Sequence, residues 1–78
     1  MSEQAALDII NKVFAVKLAH EDLDKKIKEV LKWDSVLIVS LMSEVMNKFG
    51  AKIDVESLFS IETINNLVDL MMDSANGV

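Results

Sequence analysis

The run DSVLIVSLMSEVMNKFG, residues 34–50, decides the fold. Asp34 followed by Ser35 is a helix start, because an aspartate side chain accepts hydrogen bonds from the free amides of a first turn and suits its positive dipole end. Gly50 is a natural stop, since the residue after a last helical turn often takes a left-handed conformation that glycine adopts without steric cost. Nothing between them breaks a helix, so the spacing predicts one over 35–49. A stripe of Val36, Val39, Met42, Val45 or Met46, and Phe49 is expected to face a core, with Leu37, Ile38, Ser40, Glu44 and Asn47 on or near the outside.

Upstream, Leu7, Ile10, Phe14 and Leu18, with Val13 alongside, recur at three- and four-residue spacing against a polar side of Glu3, Asp8, Asn11 and Lys12. They predict a helix over about 3–18, with Ser2 as its N-cap. Residues 19–34, AHEDLDKKIKEVLKWD, are densely charged with sparse apolar anchors at Leu23, Ile27, Val30 and Leu31. A long surface connection with a helical turn or two is expected there. Downstream, DVESLF offers an aspartate cap and a short helix over 55–59. Ile64, Leu67, Val68 and Met71 form the stripe of a last helix over 62–73, and residues 74–78 are expected to fray. The result is an all-α, four-helix bundle with a short third helix, a long connection after the first, and a single domain over 1–78.

The composition agrees with helices. The 78 residues include no proline, two glycines and no cysteine, so neither turn-rich strands nor disulfides support the fold. A chain of this size buries only about 60% of its unfolded surface, and packing alone must stabilise it. The net charge is −5, and every positive charge is a lysine. Without arginine there is no bidentate grip on phosphates, which disfavours nucleic-acid binding. Residues 1–34 hold seven acids against six lysines, whereas 35–78 hold six against two, so the second half carries the negative field. Such a field speeds encounter with basic partner surfaces. No apolar run approaches the roughly 20 residues that span a bilayer, and Met-Ser-Glu-Gln lacks the basic start of a signal peptide. A cytoplasmic monomer without a membrane span is expected.

Several features recur together. Asp34-Ser35-Val36 opens a helix that closes on Phe49-Gly50. An apolar-acidic pair, Ile53-Asp54, follows, then the short segment Val55 to Phe59, then Ile61-Glu62-Thr63-Ile64. This order and spacing resemble the acyl carrier protein family, whose Asp-Ser-Leu motif heads the same succession of elements and whose last helix is announced by Ile-x-Thr-Val. The likeness is close over 33–72 and looser before it. It implies a phosphopantetheine arm, taken from coenzyme A, on Ser35, with Asp34 assisting the transferase that attaches it. The arm's thiol would hold acyl groups as thioesters and present them to enzymes of fatty acid, polyketide or other specialised lipid synthesis. The implied partners are a phosphopantetheinyl transferase, an acyl-loading ligase or transferase, and synthase enzymes. A carrier of this kind is a phosphoprotein and not an enzyme; no side chain need act as acid, base or nucleophile. The chemistry suits the place, because a phosphodiester at a helix N-terminus meets free amides and a favourable dipole. The carboxylate beside it means that a partner must bring the metal and the basic groups for the transfer.

The sequence departs from the family in two respects. Many fatty-acid carriers line this helix with acids, whereas Glu44 is the only acid here after Asp34. Partner contacts are therefore expected at Trp33, Leu37, Ile38 and Glu44, with an apolar emphasis. Trp33-Asp34-Ser35 is similar to stand-alone carriers of specialised pathways. The resemblance also places an acyl pocket at Met42, Val45, Ile53, Leu58, Ile61 and Leu67. Leu58 and Leu67 stand where the family often has small residues, which implies short or polar cargo.

Other functions remain open on sequence. A peptidyl or aminoacyl carrier would share the motif, and a helical interaction module that is never modified would share the pattern. A calcium loop does not fit, because Asp22 and Asp24 lack regular ligand spacing and a central glycine. His20 reads as a solvated loop residue.

Overall fold

Ser2 starts the first helix by accepting the Ala5 amide on its hydroxyl at 3.1 Å. In the computed structural model, which describes residues 1–76, helix α1 spans Glu3–Phe14. It ends four residues before the expected boundary. Ala15 turns left-handed (φ 55°), a conformation that costs an L-residue roughly 1–2 kcal/mol. Asn11 then fastens the chain across the turn: its side chain accepts the Leu18 amide at 2.8 Å and donates to the Leu18 carbonyl at 3.0 Å. Leu18 had the spacing of a helical residue but sits in this loop, half-buried against the core.

The charged connection contains a 3-10 turn at His20–Asp22 and the single-turn helix α2, Ile27–Val30. Local polar contacts shape it. Asp22 accepts the Ala19 amide at 2.8 Å and pairs with Lys25 at 2.7 Å, and Lys25 followed by that amide holds its carboxyl below the ordinary value. His20 Nδ1 lies 2.8 Å from Glu3 Oε2, tying the loop to the start of α1. A backbone clip then fixes the connection to the segment before the last helix. Ile27 donates to Glu62 at 2.8 Å, Ile64 to Lys25 at 3.0 Å and Asn65 to Leu23 at 2.7 Å, around an antiparallel bridge between Lys26 and Thr63.

Helix α3, Ser35–Phe49, has the expected limits; Gly50 ends it at φ 63°. Asp54 caps α4, Val55–Leu58, through the Ser57 amide. Helix α5 spans Ile64–Asn76. It begins two residues later than expected because Thr63 is its cap: the Thr63 hydroxyl accepts the Asn66 amide, and the Asn66 side chain accepts the Glu62 and Thr63 amides. It also runs into the stretch expected to fray, where Ser74 donates to the Leu70 carbonyl. The rest of that expectation, Gly77 and Val78, lies outside the described residues. Among these, five α-helices replace the expected four, the extra one being α2.

Helices α1, α3 and α5 pack around one core with α4 against α5. Leu7, Ile10, Leu41, Val45, Leu67 and Met71 are fully buried there. The covered stripe of α3 is Ile38, Leu41 and Val45; of the expected stripe Val45 is buried and Met42 half-buried, whereas Val36, Val39, Met46 and Phe49 are exposed. Val36 and Val39 are 73% and 60% exposed, whereas Ile38 is 4% exposed. The helix is apolar on both sides, and position relative to α1 and α5 decides which side is covered.

Two measurements check this account. Leu41→Ala should lower unfolding free energy by about 2–5 kcal/mol in urea titration, whereas Val39→Ala should change it by less than about 0.5 kcal/mol; the reverse order would restore the expected stripe. Glu3 raises the His20 pKa above its ordinary 6.5, first through the hydrogen bond and then through its charge. A raised folded pKa stabilises the protonated form, so the contact contributes fully below pH 6.5 and fades as pH rises through the folded value. The small stability gap between the native chain and Glu3→Gln should accordingly close on raising the pH from about 5.5 to about 8.5.

Candidate functional site

The N-terminus of α3 is built by its cap. Asp34 is extended (φ −118°, ψ 164°), and its Oδ1 accepts the Leu37 amide at 2.9 Å. Its carbonyl accepts the Ile38 amide at 2.9 Å, which starts the helical ladder. The amides of Ser35 and Val36 precede that ladder and have no acceptor among the described residues. Lys32 Nζ stands 4.0 Å from the second carboxylate oxygen, and no other acid lies in the first turn. The positive end of a four-turn helix is thus open to an anion.

Ser35 is the first helical residue and is exposed. Its hydroxyl has no hydrogen-bond partner among the described residues. The hydroxyls of Ser2, Ser57, Ser60 and Ser74 are engaged with Ala5, Asp54, Glu56 and Leu70, and Ser40 and Ser43 lie along the middle of α3. A free hydroxyl joined to free helix-terminal amides occurs at Ser35. The arrangement fits a covalently attached phosphate: the ester oxygen reaches solvent, and two unpaired amides with the dipole offset the added negative charge.

Around the hydroxyl, Trp33 is half-buried and stacks on Phe14 with ring centroids 5.8 Å apart and planes 16° apart. It anchors the connection to α1 while keeping an edge at the surface. Leu37 is half-buried against the core. Ile38, expected at the partner surface, faces the core instead. Glu44 is largely covered and bridges Lys12 of α1 at 3.2 Å and Lys48 at 3.9 Å, so it ties two helices together. The exposed apolar residues of this face are Val36, Val39 and Met46, with Val55 and Phe59 beyond them. They were missed, although a signal existed: Ser40, Ser43 and Asn47 share their side and mark it as solvated.

The six expected pocket residues all belong to the hydrophobic cluster but do not line one space. Val45, Leu58 and Leu67 are interior. Met42 and Ile53 border a cleft of about 600 Å³ with Val39, Met46 and Val55. Ile61 borders a second, of about 570 Å³, with Trp33, Phe59, Lys26, Lys28 and Glu62. Among the described residues there is no cluster of three or more His, Cys, Asp or Glu able to hold a metal, and no helix long and apolar enough to cross a membrane.

Residues 4–71 match the protein family described as "Phosphopantetheine attachment site". No curated protein matches the chain.

The cap is directly testable. Asp34→Ala should cost about 1 kcal/mol in urea unfolding, while Asp34→Asn, which keeps a capping oxygen, should cost only a few tenths. Equal losses would mean that charge, and not the Leu37 hydrogen bond, holds the turn.

Proposed function

We propose, from the premise that this chain belongs to the phosphopantetheine-attachment family and is a non-catalytic carrier of that arm, that Ser35 receives the arm and that the cargo is an acyl group of lipid synthesis. The observation that carries the assignment is the exposed, unbonded Ser35 hydroxyl on the first turn of α3 beside two free amides. In the attachment step, Ser35 Oγ bonds to the phosphorus bearing pantetheine in coenzyme A. The pyrophosphate bond breaks, adenosine bisphosphate leaves, and the hydroxyl proton passes to a base on the transferase. Asp34 spends one oxygen on the Leu37 amide and keeps the other toward solvent, where it can meet a cation brought by that enzyme.

When attached, the arm supplies a thiol that holds an acyl group as a thioester. The chain's own part is to tether and present it, at an effective concentration of ~mM to a docked partner. The apolar residues lining two clefts, Met42, Met46 and Ile53 in one and Trp33, Phe59 and Ile61 in the other, support acyl over aminoacyl cargo. Partner enzymes, a loading ligase or transferase and a synthase of the cytoplasm, would meet Val36, Val39 and Met46 with the edges of Leu37 and Trp33. Glu44 is occupied by two lysines and contributes through the acidic field. Fatty acid, polyketide and specialised lipid routes all suit this description, and the apolar face of α3 favours the specialised ones.

Incubation of the full chain with coenzyme A and a broad-specificity phosphopantetheinyl transferase should add one phosphopantetheine group by intact mass. Ser35→Ala should abolish the gain and Ser40→Ala should retain it. An unchanged native mass, or a gain that survives Ser35→Ala, would overturn the assignment.

A further inference from the structure

We infer that the cleft beside Trp33, and not the core, seats the end of the loaded arm, and that it selects acyl groups terminating in a carboxylate. The inference rests on the Ser35 assignment and deepens it. Trp33 is two residues before Ser35, so their Cα atoms are at most about 7.6 Å apart. A flexible arm on Ser35 reaches this cleft without a rearrangement of the fold.

The walls are fixed before any ligand arrives. Trp33 is held by its stack on Phe14. The opposite wall, Ile61 and Glu62, is held by the backbone clip in which Ile27 donates to Glu62 and Ile64 to Lys25. Ile27, itself buried, also lines this cleft of about 570 Å³. Phe59, 65% exposed at the edge, is a large aromatic surface that packing leaves uncovered. Trp33, Phe59 and Ile61 would take the methylene part of the ligand.

Charge sets the terminus. The rim carries Lys26, Lys28 and Glu62, a net positive spot on a chain of net charge −5. Lys26 is paired with Glu62 at 3.5 Å. Lys28 has no ion-pair partner among the described residues and is free to meet a carboxylate. Ion pairing at an exposed rim is worth a factor of about two to five, which is useful here because docking is intramolecular. The cleft at Met42, Met46 and Val55 offers an alkyl chain a more apolar lining, and it is the rival seat.

The test loads the full chain from acetyl-, butanoyl- and succinyl-coenzyme A, confirms each product by mass, and follows two reporters: fluorescence of Trp33, the only tryptophan, and methyl resonances of Ile27 and Ile61. Succinyl should shift both beyond the form bearing the bare arm. Butanoyl should do so more weakly, and Lys28→Ala should lower the succinyl docked population about two- to fivefold, with Lys48→Ala as an unaffected control. Silent reporters in a correctly loaded succinyl form, or shifts confined to Met46 and Val55, would overturn the cleft. Equal responses to butanoyl and succinyl, or an unaffected Lys28→Ala, would overturn the carboxylate. Failure to gain mass at Ser35 would sink the attachment assignment beneath it, a result separable from silence in a loaded chain.

Discussion

Helix α3 is apolar around most of its circumference, yet α1 and α5 can cover only one side of it. Which side they cover fixes the site. Burying Ile38 and Leu41 as they are buried here stabilises the fold by about 1.5–3 kcal/mol each. At about 100° per residue, that choice sets Ser35 about 90° from the direction of the core and Val36 nearly opposite it. Had the stripe of Val36, Val39, Met42, Val45 or Met46, and Phe49 been buried, Ser35 would point within about 20° of the core. The exposure of the hydroxyl is therefore a consequence of core packing three to ten residues downstream as much as of its place at a helix end.

That geometry also explains what could and could not be read from the chain. The limits of α3 were legible because its signals are local: Asp34 bonds three residues ahead and Gly50 takes its own conformation. The rotation of α3 was not legible from periodicity, since two stripes have the same spacing and similar hydrophobicity. It was implicit in a second requirement. An attachment serine must reach solvent, and applying that to the helical wheel excludes the Val36 stripe. Ile38 was misplaced for want of this step. The end of α1 was hidden for a different reason: Asn11 closes a loop onto Leu18 seven residues away, and no pattern in the run itself distinguishes that asparagine from a solvated one. The limits of α5 moved because Thr63 and Asn66 satisfy each other's neighbourhood, a reciprocal cap visible in the sequence once the pair is sought.

The long connection is held down by means that suit a small core. It lacks the apolar residues to pack as a full helix, so it uses backbone bonds to the Glu62–Asn65 segment and one aromatic stack. Residues of both line the cleft beside Trp33. The stack places Trp33 against α1, and the clip brings the connection against the start of α5, so the surroundings of Trp33 come from three separate parts of the chain. The pocket residues that the family resemblance placed together are divided between the interior and two different clefts.

The surface divides its work by distance. Six acids against two lysines in residues 35–78 give a negative field that acts over about 10 Å at ordinary salt and speeds encounter without fixing a pose. At contact range α3 offers mainly Val36, Val39 and Met46, continued by Val55 beyond. Single exposed apolar residues are ordinary, but a row of them along the helix that bears Ser35 is the surface on which the proposed partners would dock. Glu44, the one acid of that helix beyond its cap, is drawn into pairs with Lys12 and Lys48 and stays out of the row. A partner that docks here gains affinity from burying aliphatic surface and tolerates salt. Its sensitivity to ionic strength then lies in how fast it arrives, not in how tightly it holds.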